Sequence, residues 1–153
     1  MTSTGSHRTL APSRSPARSG TERTLITVEA VTSISALAGG VLLMLAPDGS
    51  LLAADPAVLE GSPFADWLLP GAALTLFVGV GFAVAAVWQW RRGPYARYVS
   101  LAAGVGLVVF EIVQFTVIGP HPLQAVFGVV GAATAYLAWR LPSARHGATA
   151  AAR

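Results

Sequence analysis

Residues 68–90 read LLPGAALTLFVGVGFAVAAVWQW, and Arg91 and Arg92 follow directly. No charge interrupts the chain between Asp66 and Arg91. A helix rises 1.5 Å per residue, and about 20 apolar residues are needed to cross ~30 Å of hydrocarbon. This stretch therefore meets the requirement for a membrane-spanning helix by length and composition together.

Three further stretches meet the same test on either side of it. Upstream lies 24–46, with one acid, Glu29. Downstream lie 97–118, with one acid, Glu111, and 122–139, which is uncharged and close to the lower length limit of ~17 residues. The whole chain agrees. Of its 153 residues 54% are hydrophobic and only 11% are charged, against about 25% in a soluble domain. So few charges cannot surface a soluble core of this size, and lipid must solvate the remainder. The expected fold class is all-α, a four-helix transmembrane bundle occupying 24–140.

The flanks divide by charge. Arg8, Arg14, Arg18 and Arg23 precede the first span, Arg91, Arg92 and Arg97 fill the turn between the second and third, and Arg140, Arg145 and Arg153 follow the fourth. The 47–67 loop and the 119–121 turn hold no arginine; the loop carries Asp48, Asp55, Glu60 and Asp66 instead. By the positive-inside rule both termini are expected in the cytoplasm. Aromatic residues agree: Trp88, Trp90, Tyr95, Tyr98 and Trp139 gather at the arginine side and Trp67 at the other, as a headgroup-level belt would.

Residues 1–23 are rich in Ser, Thr, Pro, Gly and Arg without apolar periodicity and read as a disordered basic tail, as do 141–153 at the other end. A cleaved signal peptide is not expected, because the first run exceeds the ~7–15 residues of such a segment and contains Glu29. In the outer loop, Pro47-Asp48-Gly49-Ser50 signals a turn after a helix end, and a short interfacial helix is expected around 55–60.

Helices in lipid associate through small residues that let backbones approach. Gly71, Thr75, Gly79 and Ala83 recur at four-residue spacing in the second span. Ala36 with Gly40, the series Ala96, Ser100 and Gly104, and the pairs Gly128–Ala132 and Gly131–Ala135 do so elsewhere. Packing within one bundle accounts for this pattern; self-association through the second-span stripe is the alternative.

Ionisable groups inside a span are costly and mark candidate sites. Glu29 lies about one and a half turns in from the inner boundary, on one face with Thr32, Ser33, Ala36 and Gly40. It is expected to pair with Arg91, Arg92 or Arg97, or to reach the interface, and is the secondary candidate. Glu111 lies about two turns in from the outer boundary with Gln114 on the same face, and His121 and Gln124 follow in and after the outer turn. Glu111, Gln114, His121 and Gln124 are expected to form a polar pocket. It would serve either as a hydrogen-bonded clasp between the third and fourth spans or as a ligand or proton site.

Other chemistry has no support in the residue pattern. The chain lacks cysteine, which excludes disulfides, thiolate metal ligation and thiol redox reactions. No HExxH, Gly-rich phosphate loop or GxSxG elbow occurs, and no catalytic residue, metal or cofactor is expected. The net charge of +3 comes from arginines confined to three short segments and not from a basic stripe interleaved with aromatics, so nucleic acid is not an expected partner.

Two motifs carry a resemblance. Ser62-Pro63-Phe64-Ala65-Asp66-Trp67-Leu68-Leu69-Pro70-Gly71 resembles an SPF-x-DW-x-x-PG signature, and Gln114 to Gln124, QFTVIGPHPLQ, resembles Q-x-x-x-IG-x-x-x-LQ. Together they resemble a family of small four-helix integral membrane proteins of actinobacteria and related bacteria, over about residues 30–140. The likeness to DoxX-like proteins is one of topology only. The resemblance implies a four-helix fold in a bacterial inner membrane and a role for the outer loop and the Gln114–Gln124 turn; it brings no activity with it. The expected function is that of a non-enzymatic polytopic membrane protein, a structural or partner subunit. The alternatives are a small oligomeric transporter or proton-coupled carrier using Glu111, and a membrane enzyme with an outer-face site.

Overall fold

The computed structural model describes residues 17–142. Four helices there are long and apolar enough to cross a membrane: α1 (Gly20–Leu45), α2 (Leu68–Trp90), α3 (Ala96–Ile118) and α4 (Pro122–Arg140). No strand occurs among the described residues. The expected boundaries of α2, α3 and α4 hold to within a residue.

α1 differs. It begins at Gly20, so residues 20–23, expected as tail, are helical. The cause is a cap: Ser19 is extended and its hydroxyl accepts from the Glu22 backbone N–H at 3.2 Å, satisfying a donor that the helix start would leave open. Of both expected tails, residues 1–16 and 143–153 lie outside the described residues. Leu141, just beyond α4, is buried against Leu25 and Ala138.

Each helix packs on its neighbours in chain order, and α4 closes back on α1. The short turns 91–95 and 119–121 make α2–α3 and α3–α4 antiparallel, and α1 runs antiparallel to α2 across the longer 46–67 connection, with Gly40 opposite Gly71 and Leu37 opposite Gly79. Two close approaches hold the square. A Cβ on Gly40 would run into the Thr75 side chain and lie 2.6 Å from the Gly71 carbonyl oxygen, so α1 and α2 meet backbone to backbone. A Cβ on Gly104 would lie 2.7 Å from the Gly131 carbonyl oxygen, so α3 and α4 do the same. The small-residue stripe of α2 is thus occupied within the chain: Gly71 faces Gly40 and Gly79 faces Leu37. Of the face expected for self-association through Gly71, Thr75, Gly79 and Ala83, the first three residues are turned towards α1.

Residues 74–80 of α2 form a wider, π-helical stretch. Such a turn shifts the hydrogen-bond ladder and frees carbonyls. The Gly79 carbonyl is met by the Ser33 hydroxyl of α1, which donates to it at 2.8 Å in a buried setting.

The 46–67 connection is a chain of tight turns. The Asp48 carboxylate accepts from the backbone N–H and hydroxyl of Ser50, Gly49 takes a left-handed φ of 75°, and Trp67 donates its backbone N–H to the Pro47 carbonyl at 2.9 Å. The short helix expected around 55–60 is present as a four-residue 3₁₀ helix, Pro56–Leu59, capped by Asp55 and anchored by buried Leu59.

Candidate functional site

The buried interior is layered. Ala36, Val78, Phe82 and Leu107 form one apolar cluster; Leu25, Ala138 and Leu141 form another at the end carrying the start of α1 and the end of α4. Along α1, α3 and α4 the positions between these clusters are polar: Glu29, Thr32, Ser33, Ser100 and Thr134, all buried. Ser33 is spent on Gly79, and Thr134 donates to the Val130 carbonyl of its own helix.

Glu29 is the anomaly. It is 0% exposed, and neither carboxyl oxygen has a hydrogen-bond partner. Ser100, on the diagonally opposite helix, is the polar side chain that reaches towards it, yet the Ser100 hydroxyl closes no hydrogen bond either. The expectation that Glu29 pairs with Arg91, Arg92 or Arg97 is not met. Glu22, two turns nearer the helix start, takes the arginines instead: its Oε1 lies 3.2 Å from Arg18 Nε and 3.4 Å from Arg92 Nε. The early start of α1 explains this. Counted from Gly20, Glu29 is about 14 Å along the helix, beyond the reach of the end groups.

At the opposite end, a cavity of about 600 Å³ opens between α3 and α4, with Glu111, Ile112, Phe115, His121, Gln124 and Gly128 among its lining. Three of the four expected pocket residues therefore meet, and Gln114 is not among the lining. The polar work of two is internal. His121 caps α4, its Nδ1 accepting from the Leu123 N–H, while Gln124 returns its Oε1 to the His121 N–H and donates its amide to the Gly119 carbonyl. Gln124 thus fastens the turn and not Glu111, which corrects the expected clasp. The QFTVIGPHPLQ motif reads in the structure as a reciprocal cap in which Gly119 holds a φ of 93°.

Glu111 is left as the uncommitted polar group of this cavity. It is 7% exposed and makes no hydrogen bond or ion pair among the described residues. The sequence expected Glu111 to share hydrogen bonds with Gln114 and Gln124, whereas Gln124 is bonded to Gly119 and His121 and Gln114 is not in the lining. Ser100 and Thr134 were missed as buried polar groups; only their small size and helical spacing signalled them. The chain matches no family model, no curated protein and no solved structure.

Proposed function

We propose that the chain is a non-enzymatic subunit of a bacterial inner membrane, with both ends cytoplasmic, that seats a second transmembrane segment in the α3–α4 groove. The observation that carries this is Glu111: a nearly buried carboxyl, deep in a helix long enough to span, facing an apolar groove and making no hydrogen bond or ion pair among the described residues. A polar group inside lipid is stable when it finds a hydrogen-bonding group on a neighbouring helix. The groove floor is small, at Gly128, where an added Cβ would meet nothing within 4 Å, so another helix can come close. The polar groups beside Glu111 among the described residues, His121 and Gln124, are spent on the α4 cap.

The test is the native size of the chain extracted in mild detergent from its own membrane. Wild type is expected to run as an assembly larger than the 15.7 kDa monomer. Glu111→Leu is expected to run as the monomer, and Glu111→Gln, which can still donate and accept, to retain part of the assembly. A wild-type monomer, or a Glu111→Leu variant of unchanged assembly size, overturns the reading. A proton flux in liposomes that Glu111→Gln abolishes would replace it with the carrier reading.

A further inference from the structure

At the arginine-bearing end, α1 and α2 enclose a second cavity of about 660 Å³. Its walls include Arg18, Arg23 and Arg92, with Ile26, Thr27 and Trp90. Three guanidiniums face one carboxylate here, because Glu22 is shared by Arg18 and Arg92 through a single oxygen. Among the described residues the formal charges here sum to 3 − 1, an excess of two positive charges.

The arginines are also held in place. Arg18 donates to the Trp90 carbonyl oxygen and lies 4.3 Å from the centre of the Trp90 ring. The Glu22 carboxylate ties Arg18 and Arg92 together, so the start of α1 is fixed to the end of α2. Arg23 is exposed, and its guanidinium makes no hydrogen bond or ion pair among the described residues. A planar guanidinium with five donors is the side chain best matched to a phosphate. Below this charged rim, Ile26 and the indole of Trp90 supply an apolar wall at the depth where tryptophan sits against headgroups.

We infer that the α1–α2 cavity lined by Arg18, Arg23 and Arg92 binds the phosphate of an anionic phospholipid headgroup, with Ile26 and Trp90 against the upper part of its chains. The apolar wall distinguishes this occupant from a free phosphate compound, which would gain from the rim alone. Basic pockets between helices at a membrane surface are a known physical solution for headgroup capture. The site is separate from the α3–α4 groove and does not depend on what fills that groove.

The experiment uses the full chain, delipidated in detergent. Retention of phosphatidylglycerol, of phosphatidylcholine and of water-soluble glycerol phosphate is read by native mass spectrometry. Phosphatidylglycerol is expected to bind in preference to phosphatidylcholine. Arg23→Gln, at a side chain that holds no other part of the fold, is expected to cut that preference about fivefold, Arg23→Lys to restore most of it, and Arg140→Gln to leave it unchanged. Equal retention of the two lipids, or an Arg23→Gln variant with an unaltered preference, overturns the inference. Glycerol phosphate bound as tightly as phosphatidylglycerol also overturns it, since the apolar wall would then contribute nothing.

Discussion

Two carboxyls in the helices show what single residues contribute. Glu111 keeps an open side towards a groove, whereas Glu29 is sealed between two apolar clusters with both oxygens unsatisfied. A buried polar group without a partner costs about 1–3 kcal/mol. Glu29→Met, which fills similar space without polar atoms, is therefore expected to raise the thermal unfolding temperature in detergent by an amount equivalent to about 1–3 kcal/mol; a lower unfolding temperature would show that Glu29 is a net stabiliser of the bundle. The residue types were plain in the sequence, but the environment of Glu29 was not, because it depends on where α1 begins. Ser19 followed by Glu22 is a capping signature that sets that start and moves Glu29 a turn deeper. Outside the helices, Asp48 accepts from the backbone N–H and the hydroxyl of Ser50, which holds its carboxyl below the usual carboxylate range. A depressed folded value means the turn is supported above the ordinary carboxyl pKa of about 3.9 and loses that support as pH falls through the lower folded value. Amide exchange at Ser50 is expected to quicken in that acidic window, and Asp48→Ala to abolish the pH dependence; an exchange profile identical in both proteins would remove Asp48 from the account.

At the scale of the element, the informative residues are small. Spacing in the sequence shows which residues share a helical face, and it identified Gly40, Gly71, Gly79, Gly104 and Gly131 as packing positions. It does not show which helix that face meets. That is why the α2 stripe admitted a reading as a self-association surface, while the structure turns it on α1. The π-helical stretch in α2 left no mark in the sequence either, since its widened ladder is supported by Ser33 from another helix. The contacts yield a graded prediction. Gly40→Ala and Gly104→Ala each place a Cβ into facing backbone, at 2.6 Å from the Gly71 carbonyl oxygen and 2.6 Å from the Ala135 backbone nitrogen respectively. Each is expected to lose about 1–3 kcal/mol, the usual cost of overpacking. Gly106→Ala, also in α3 but with open space around the added carbon, is expected to change little or to gain up to about 1 kcal/mol from helix propensity. Denaturant titration in mixed micelles compares the three directly, and a Gly106→Ala loss equal to that of Gly104→Ala would dissolve the argument.

For the molecule as a whole, hydrophobic run length already counted four helices, because hydrocarbon thickness imposes a length that soluble folds do not. Orientation rests on a different physical quantity, the distribution of charge. The antiparallel bundle brings the start of α1, the α2–α3 turn and the end of α4 to one end, and Arg18, Arg23, Arg91, Arg92, Arg97 and Arg140 lie there. Asp48, Asp55, Glu60 and Asp66 lie in the connection at the other end. By the positive-inside rule that end is expected on the cytoplasmic side. Because the chain has no cysteine, a single introduced thiol reports one position cleanly. Ala65→Cys, exposed in the acidic connection, is expected to react with an impermeant maleimide in intact cells, and Pro142→Cys, exposed beyond α4, only after the cells are opened. The reverse pattern would invert the bundle, with consequences for both sites. The arginine cavity would then meet the outer leaflet and the Glu111 groove would open towards the cytoplasm. In the expected orientation the excess positive charge beside Trp90 faces the negatively charged cytoplasmic leaflet, where a headgroup phosphate is at hand. Topology and lipid preference are therefore linked outcomes of one charge distribution, and both are measurable with the same full-length chain.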